Sequence, residues 1–205
     1  MKEELIKINK IILASASPRR KELLSHFKIP FEIIVSNIDE VIEKDLSFND
    51  LVQSLALQKA QAVFNTSKSN SSLFLGADTI VVSDEVIFGK PKSRKEAHEI
   101  LLQLENKTHS VYTGVSLFSP AKTLTFSVET KVSFKNINKF ILEDYLDSGE
   151  FSDKAGAYGI QGMALTFIET IKGSYSNVVG LPLSELDDQL SCYFEVANWR
   201  KIFKK

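Results

Sequence analysis

Residues 11–27 constrain the fold of this chain more than any other stretch. The apolar run IILAS at 11–15 reads as a strand and is followed almost at once by a helix start. Ser17 is suited to the N-cap, Pro18 to the first helical position, and residues 21–27 form the amphipathic body. A strand passing so directly into a helix predicts a βα unit, and the rest of the chain keeps the alternation. A strand is expected over 31–36, then a helix capped by Asp45 or Ser47 and running to about Phe64. LFLGADTIVV, a turn at 83–85 and VIFGK predict a hairpin, and Ser93 caps a helix to about Leu104. Strands follow near 109–118 and 123–134, then a helix over 139–146 stopped by Gly149. The glycine-rich KAGAYGIQG at 154–162 leads to a strand expected at 164–171, and a helix over 183–194 closes the pattern. The expectation is an α/β protein built on one mixed sheet, with no linker between domains.

The first helical turn carries Arg19 and Arg20, two of only four arginines among 25 basic residues. A helix N-terminus has partial positive charge and free N–H groups, so it favours acids over arginines. An anionic ligand reverses that sign, since it meets the dipole, the amides and two guanidinium forks together, with Ser15 and Ser17 adding hydroxyl donors. The alternative is a pair of solvated surface arginines. Composition limits where such a ligand can bind. The net charge of −1 gives no broadly basic surface, so an anion must be held by a local pocket and a nucleic-acid-coating role is excluded. Cys192 is the sole cysteine, which rules out an intrachain disulfide and a cysteine-based zinc site. His26, His98 and His109 have no metal-ligand spacing and read as structural or surface residues. No apolar run approaches the ~20 residues of a membrane span, and MKEELIKINK has no signal-peptide core. A reduced, cytoplasmic protein without a membrane partner is expected.

Several further polar positions interrupt apolar elements. Asp78 lies inside the strand-like LGADTIVV; an acid there either takes hydrogen bonds within the fold or works on a base, metal or substrate. Lys90 in IFGKPKS is suited to a phosphate point charge or to a solvated loop. Gly156, Gly159 and Gly162 allow close backbone approach to a ligand or simply form tight turns, and Gln161 offers one amide donor and acceptor pair. They match neither a Walker loop nor a dinucleotide fingerprint. Asp39 and Glu40 could hold a hard divalent ion. Lys59, in LALQKAQAV, is an isolated lysine on an amphipathic helix, a type of position that is usually solvated.

Taken together, ILASASPRRKELL, IDE, LALQKA, LGADTIVV, GKP, HSVYTGV, VETKVSF, KAGAYGIQG and IKGSYSNVVGLPL resemble the Maf family of nucleoside triphosphate pyrophosphatases. These are relatives in fold of the inosine triphosphate pyrophosphatases. The motifs come in the family's order over nearly the whole chain. Asn37 departs from the acid many members carry before I-D-E, and the stretch from Cys192 to Lys205 follows no family motif, leaving 195–205 unassigned. The resemblance implies a single elongated mixed β-sheet flanked by helices, one domain over 1–205 whose two lobes share the sheet, and an active site in a central cleft. It implies a triphosphate grip by Ser15, Arg19, Arg20, Lys59 and Lys90. Asp78 becomes the proton acceptor for the attacking water, and Glu40 joins Asp78 in binding a divalent cation, Mg²⁺ or Mn²⁺.

The GIQG form of the glycine segment resembles the branch that hydrolyses dTTP and UTP to the monophosphate and pyrophosphate, with Arg19, Thr79 and Gln161 at the positions tied to that choice. A homodimer is implied by the resemblance alone, as are roles in division arrest and in keeping non-canonical nucleotides, modified pyrimidines among them, out of nucleic acids. The chemistry agrees: splitting an α–β phosphoanhydride needs charge neutralised on pyrophosphate, a water oriented and its proton removed. A Gln amide matches a uracil or thymine edge and leaves itself unpaired against a guanine edge. The competing reading is a non-catalytic nucleotide-sensing regulator of cell division using the same pocket. The presence of Asp78, Lys59 and Lys90 favours the enzyme, because a sensor needs no base.

Overall fold

The computed structural model describes residues 8–43 and 45–203. Among these, seven strands form one mixed sheet in the order β2 (Phe31–Ile33), β1 (Lys10–Leu13), β3 (Ser72–Ser83), β5 (Thr108–Phe118), β6 (Thr123–Phe134) and β7 (Ile168–Lys172), with β4 (Val86–Phe88) paired to β3. The chain divides into two compact units. The first comprises Met1–Asp78, Thr113–Val128 and Gly180–Lys205, and the second Thr79–Tyr112 and Glu129–Val179.

In the first unit, β1 (Lys10–Leu13) lies between β2 (Phe31–Ile33) and β3 (Ser72–Ser83), parallel to both. Ile11, Ile12 and Leu13 are at most 1 % exposed, which is why this strand reads as an unbroken apolar run without alternation. Strand β2 is shorter than expected: only three residues pair with β1, and Ile33 and Val35 stay exposed at the sheet edge. Helix α1 (Pro18–Ser25) starts as the sequence indicates, with Ser17 Oγ accepting from the Arg20 amide. It ends before 27, because the His26 and Phe27 amides bond back three residues to Leu23 and Leu24 and tighten the last turn. Helix α2 (Phe48–Ser67) is capped by Ser47 and outruns the expected Phe64, closing on Lys68 in the left-handed region (φ 48°). Helix α6 (Leu183–Phe194) has the expected bounds.

Close packing places α2 on β3. A Cβ added to Gly76 would stand 2.0 Å from the Ala56 carbonyl oxygen, so the helix backbone rests directly on the strand. Ala56 and Ala60 are fully buried at this contact.

The second unit holds the C-terminal part of β3 and β4 (Val86–Phe88), which form the expected hairpin. Helix α3 (Arg94–Leu104) is capped by Ser93 and buries Ala97, Ile100, Leu101 and Leu104. Strands β5 (Thr108–Phe118) and β6 (Thr123–Phe134) contribute residues to each unit. Helix α4 (Lys139–Ser148) ends on Gly149 at φ 72°. The strand expected at 164–171 is a correction: residues Met163–Phe167 form a 3₁₀ helix, and β7 is Ile168–Lys172. Ala164 and Phe167 bury themselves three residues apart, the 3₁₀ period, and the β6–β7 register shifts at Ser133/Phe134 where the strand begins. A short helix α5 (Tyr175–Val179) precedes α6.

Candidate active site

The first unit gathers six of the residues singled out in the sequence. Strand β1 ends at Leu13, and the Ala14 amide still bonds to the Leu75 carbonyl at 2.8 Å. The chain then leaves the C-terminal edge of the parallel strands through Ser15 into α1, the place where open α/β sheets take their ligands. Ser15 Oγ accepts from the Ser17 amide at 3.2 Å and from Arg20 Nη1 at 3.3 Å. Arg20 Nε donates to the Gly180 carbonyl at 2.9 Å. Burial lowers the affinity of this guanidinium for its proton; Asp78 and Glu40 oppose that, while Arg19 adds to it. Arg20 is thus aimed by two fixed contacts, and the charges around it are those named from the sequence.

A second group is centred on Lys59. Strand β3 is buried along its length except at Asp78 and Thr79, which are half-buried. Asp78 Oδ1 accepts from Lys59 Nζ, and Glu40 Oε1 lies 3.0 Å from the same nitrogen. The Lys59 and Asp78 side chains are only 13 % and 14 % exposed. A lysine that sequence pattern alone would leave in solvent is therefore an internal cation shared by two acids. The reason is the Gly76 contact, which brings the α2 turn carrying Lys59 against the strand carrying Asp78.

Sequence reasoning missed Gln58. Its amide pairs with both backbone groups of Val41, accepting from the amide at 2.9 Å and donating to the carbonyl at 3.0 Å. This doubly held peptide follows Glu40 directly and steadies the loop that presents it. The only trace in the sequence was the polar Gln inside LALQKA.

Two carboxylates converging on one cation suit Mg²⁺, which is commonly held by one or two acids together with substrate phosphates. Asp39 is exposed, and its neighbour Glu40 is the acid of this loop that pairs with Lys59. Among the described residues, no group of three or more His, Cys, Asp or Glu could hold a metal ion.

In the second unit, Lys90 is exposed just after β4. The Gly156 amide donates to the Gly89 carbonyl at 3.1 Å, so the GKP and KAGAYGIQG segments are bonded side by side. Gly156 sits at φ 70°, and a Cβ there would press on Val81 at 2.9 Å. The Tyr145 hydroxyl donates to the Ala157 carbonyl at 3.0 Å, and Glu150 Oε2 accepts from the Met163 amide at 3.2 Å. These contacts brace a loop that closes through the Gly162 amide on the Gly159 carbonyl and leaves Gln161 exposed.

His109, read as structural or surface, is structural. It is 2 % exposed, its Nε2 shares a hydrogen bond with the Tyr158 hydroxyl at 2.8 Å, and burial pushes its pKa down to about 4. Tyr158 immediately precedes the GIQG turn, which is the use to which the HSVYTGV histidine is put.

Comparison with known proteins gives the chain's family. The family described as Maf-like protein matches residues 10–192. Proteins named dTTP/UTP pyrophosphatase from Bacillus cereus (strain G9842), Bacillus cytotoxicus and Bacillus mycoides are each 49 % identical over 183 residues, covering 89 % of this chain and 95 % of theirs.

Proposed function

Because the chain belongs to the Maf family, we propose that it works as a dTTP/UTP pyrophosphatase, hydrolysing a nucleoside triphosphate to the monophosphate and pyrophosphate. The observation that carries this reading is Lys59, held between Asp78 and Glu40 in the same unit as the arginine-bearing helix start.

The triphosphate takes its charge partners from Arg19, Arg20, Ser15 and the α1 amides, where dipole and guanidinium groups act together. Lys59 turns from its acids to a phosphate oxygen as the polyanion arrives, which frees Asp78 to accept a proton. Asp78 takes that proton from the water attacking the α-phosphorus, and the α–β bridging oxygen leaves with pyrophosphate. A divalent cation fits Asp78 and Glu40 and, when bound, supplies charge neutralisation on the phosphates and a more acidic water. Lys90 serves as a further phosphate charge, and Thr79, Arg19 and Gln161 set the base preference, as the family motifs imply. The exposed Gln161 amide on a braced turn supports that role, since it presents a donor and an acceptor in one plane.

The test is incubation with UTP, dTTP, CTP, ATP and GTP in Mg²⁺ or Mn²⁺, resolving pyrophosphate from orthophosphate. Pyrophosphate with UMP or dTMP is expected, and removal of the metal with EDTA should abolish it. Binding without any product would instead favour the nucleotide-sensing regulator.

A further inference from the structure

The family match ends at residue 192, yet the described chain beyond it buries four aromatic side chains, Tyr193, Phe194, Trp199 and Phe203. Trp199 is 0 % exposed and Phe203 5 %. The Trp199 ring stands edge-on to Phe27 with centroids 5.3 Å apart, and its Nε1 donates to Asp187 Oδ1 at 2.7 Å. The Arg200 guanidinium lies 5.1 Å from the Phe27 ring and 4.8 Å from the Trp199 ring, and pairs with the same Asp187 oxygen at 2.8 Å. Phe27 follows α1 by two residues, and Asp187 lies on α6. At the other end of α1, Arg20 Nε bonds to Gly180, in the chain just before α6. Helix α1 is therefore tied to the α6 region at both ends, by Arg20 at its start and by the 199–203 turn beyond its finish.

An eight-residue helix is too short to hold its own conformation in water, so its seat depends on such contacts. We propose that residues 195–203 form a strap that fixes the seat of α1, making Trp199 a positioning residue for the triphosphate grip of Arg19 and Arg20. The inference rests on the pyrophosphatase reading for its substrate, while its geometry is independent of it. If the strap is loosened, α1 pivots about the Arg20–Gly180 bond, and Arg19 and the helix-start amides lose their register with Arg20. The penalty falls on binding the polyanion and leaves the proton transfer at Asp78 largely untouched.

The experiment compares Trp199→Ala, Trp199→Phe and Arg200→Gln with the parent, each well below its own unfolding temperature. KM and kcat for dTTP are measured beside the dissociation constant of inorganic tripolyphosphate, which needs no turnover. Trp199→Ala should raise KM and the tripolyphosphate constant roughly tenfold while kcat falls much less, a scale set by small misplacements of binding groups. Trp199→Phe, which keeps an aromatic edge on Phe27, should recover most of the loss, and Arg200→Gln should shift both constants a few-fold the same way. If Trp199→Ala does not fold, the two milder variants decide the matter. Lowered unfolding temperatures with unchanged KM and tripolyphosphate affinity would overturn the strap as a positioning device. A parent that releases no pyrophosphate, combined with weakened tripolyphosphate binding in the variants, would remove the enzymatic reading and leave the strap standing.

Discussion

Lys59 pairs with both Asp78 and Glu40, so one cation offsets part of the charge of two acids. A charged group taken this far out of water is costly to leave unpaired, and the shared pairing avoids that cost. Asp78→Asn keeps the size and the contact with Lys59 but removes the basicity. It is expected to lower kcat by at least ~10² while triphosphate binding persists. Near-normal turnover at saturating divalent cation would take the base role away from Asp78. The sequence marked Asp78 as an acid out of place in a strand, and that reading needed no structure. It could not mark Lys59 on its residue type alone, because the lysine's burial comes from its own helix resting, through Ala56 and Ala60, on Gly76 of a distant strand.

At the scale of elements, the α2–β3 contact is the most demanding in the first unit. Gly76→Ala would put a methyl 2.0 Å from the Ala56 carbonyl oxygen, backbone against side chain with no flexible end to yield. Overpacking of this kind costs ~1–3 kcal/mol, and the displaced helix carries both Gln58 and Lys59. Urea unfolding should show the loss, with kcat/KM falling alongside. Gly89→Ala is the control, as nothing lies within 4 Å of its added Cβ and its stability should match the parent. Equal stability in Gly76→Ala would mean the helix moves away freely. Element types were legible where local chemistry decides them: the Ser47 and Ser93 hydroxyls start helices, and the left-handed backbone of Gly149 stops one. They were not legible where long-range packing decides them. Residues 164–167 read as the start of a strand because Leu165, Phe167 and their neighbours suit one, yet burial of Ala164 and Phe167 selects a 3₁₀ turn over Met163–Phe167. The 195–203 segment shows no periodicity, because its aromatics pack against α1 and α6 and not along an element of their own.

Across the whole molecule, acid acts differently on the folded and the unfolded chain at His109. His109 is neutral in its buried site, with a pKa near 4, while an unfolded histidine titrates near 6.5. Its contribution is fully present above the unfolded value and is lost as pH falls through that window toward 4, about 3 kcal/mol in total. Urea midpoints measured from pH 7 to 4 should therefore fall more steeply in the parent than in His109→Gln, which keeps a neutral polar group beside Tyr158. Parallel curves would place the acid sensitivity elsewhere.

The ends of the sheet have a different significance. Among the described residues its outermost strands are β2 and β7. The first offers only three residues, one of them Glu32 clasped by Lys10 Nζ at 2.9 Å; the second exposes Glu169 and Lys172. An unpaired strand edge is a template on which another chain can add itself, and brevity and charge are the usual defences. Both strands carry them, brevity at β2 and charge at β7, and each hinders a second chain from adding itself there.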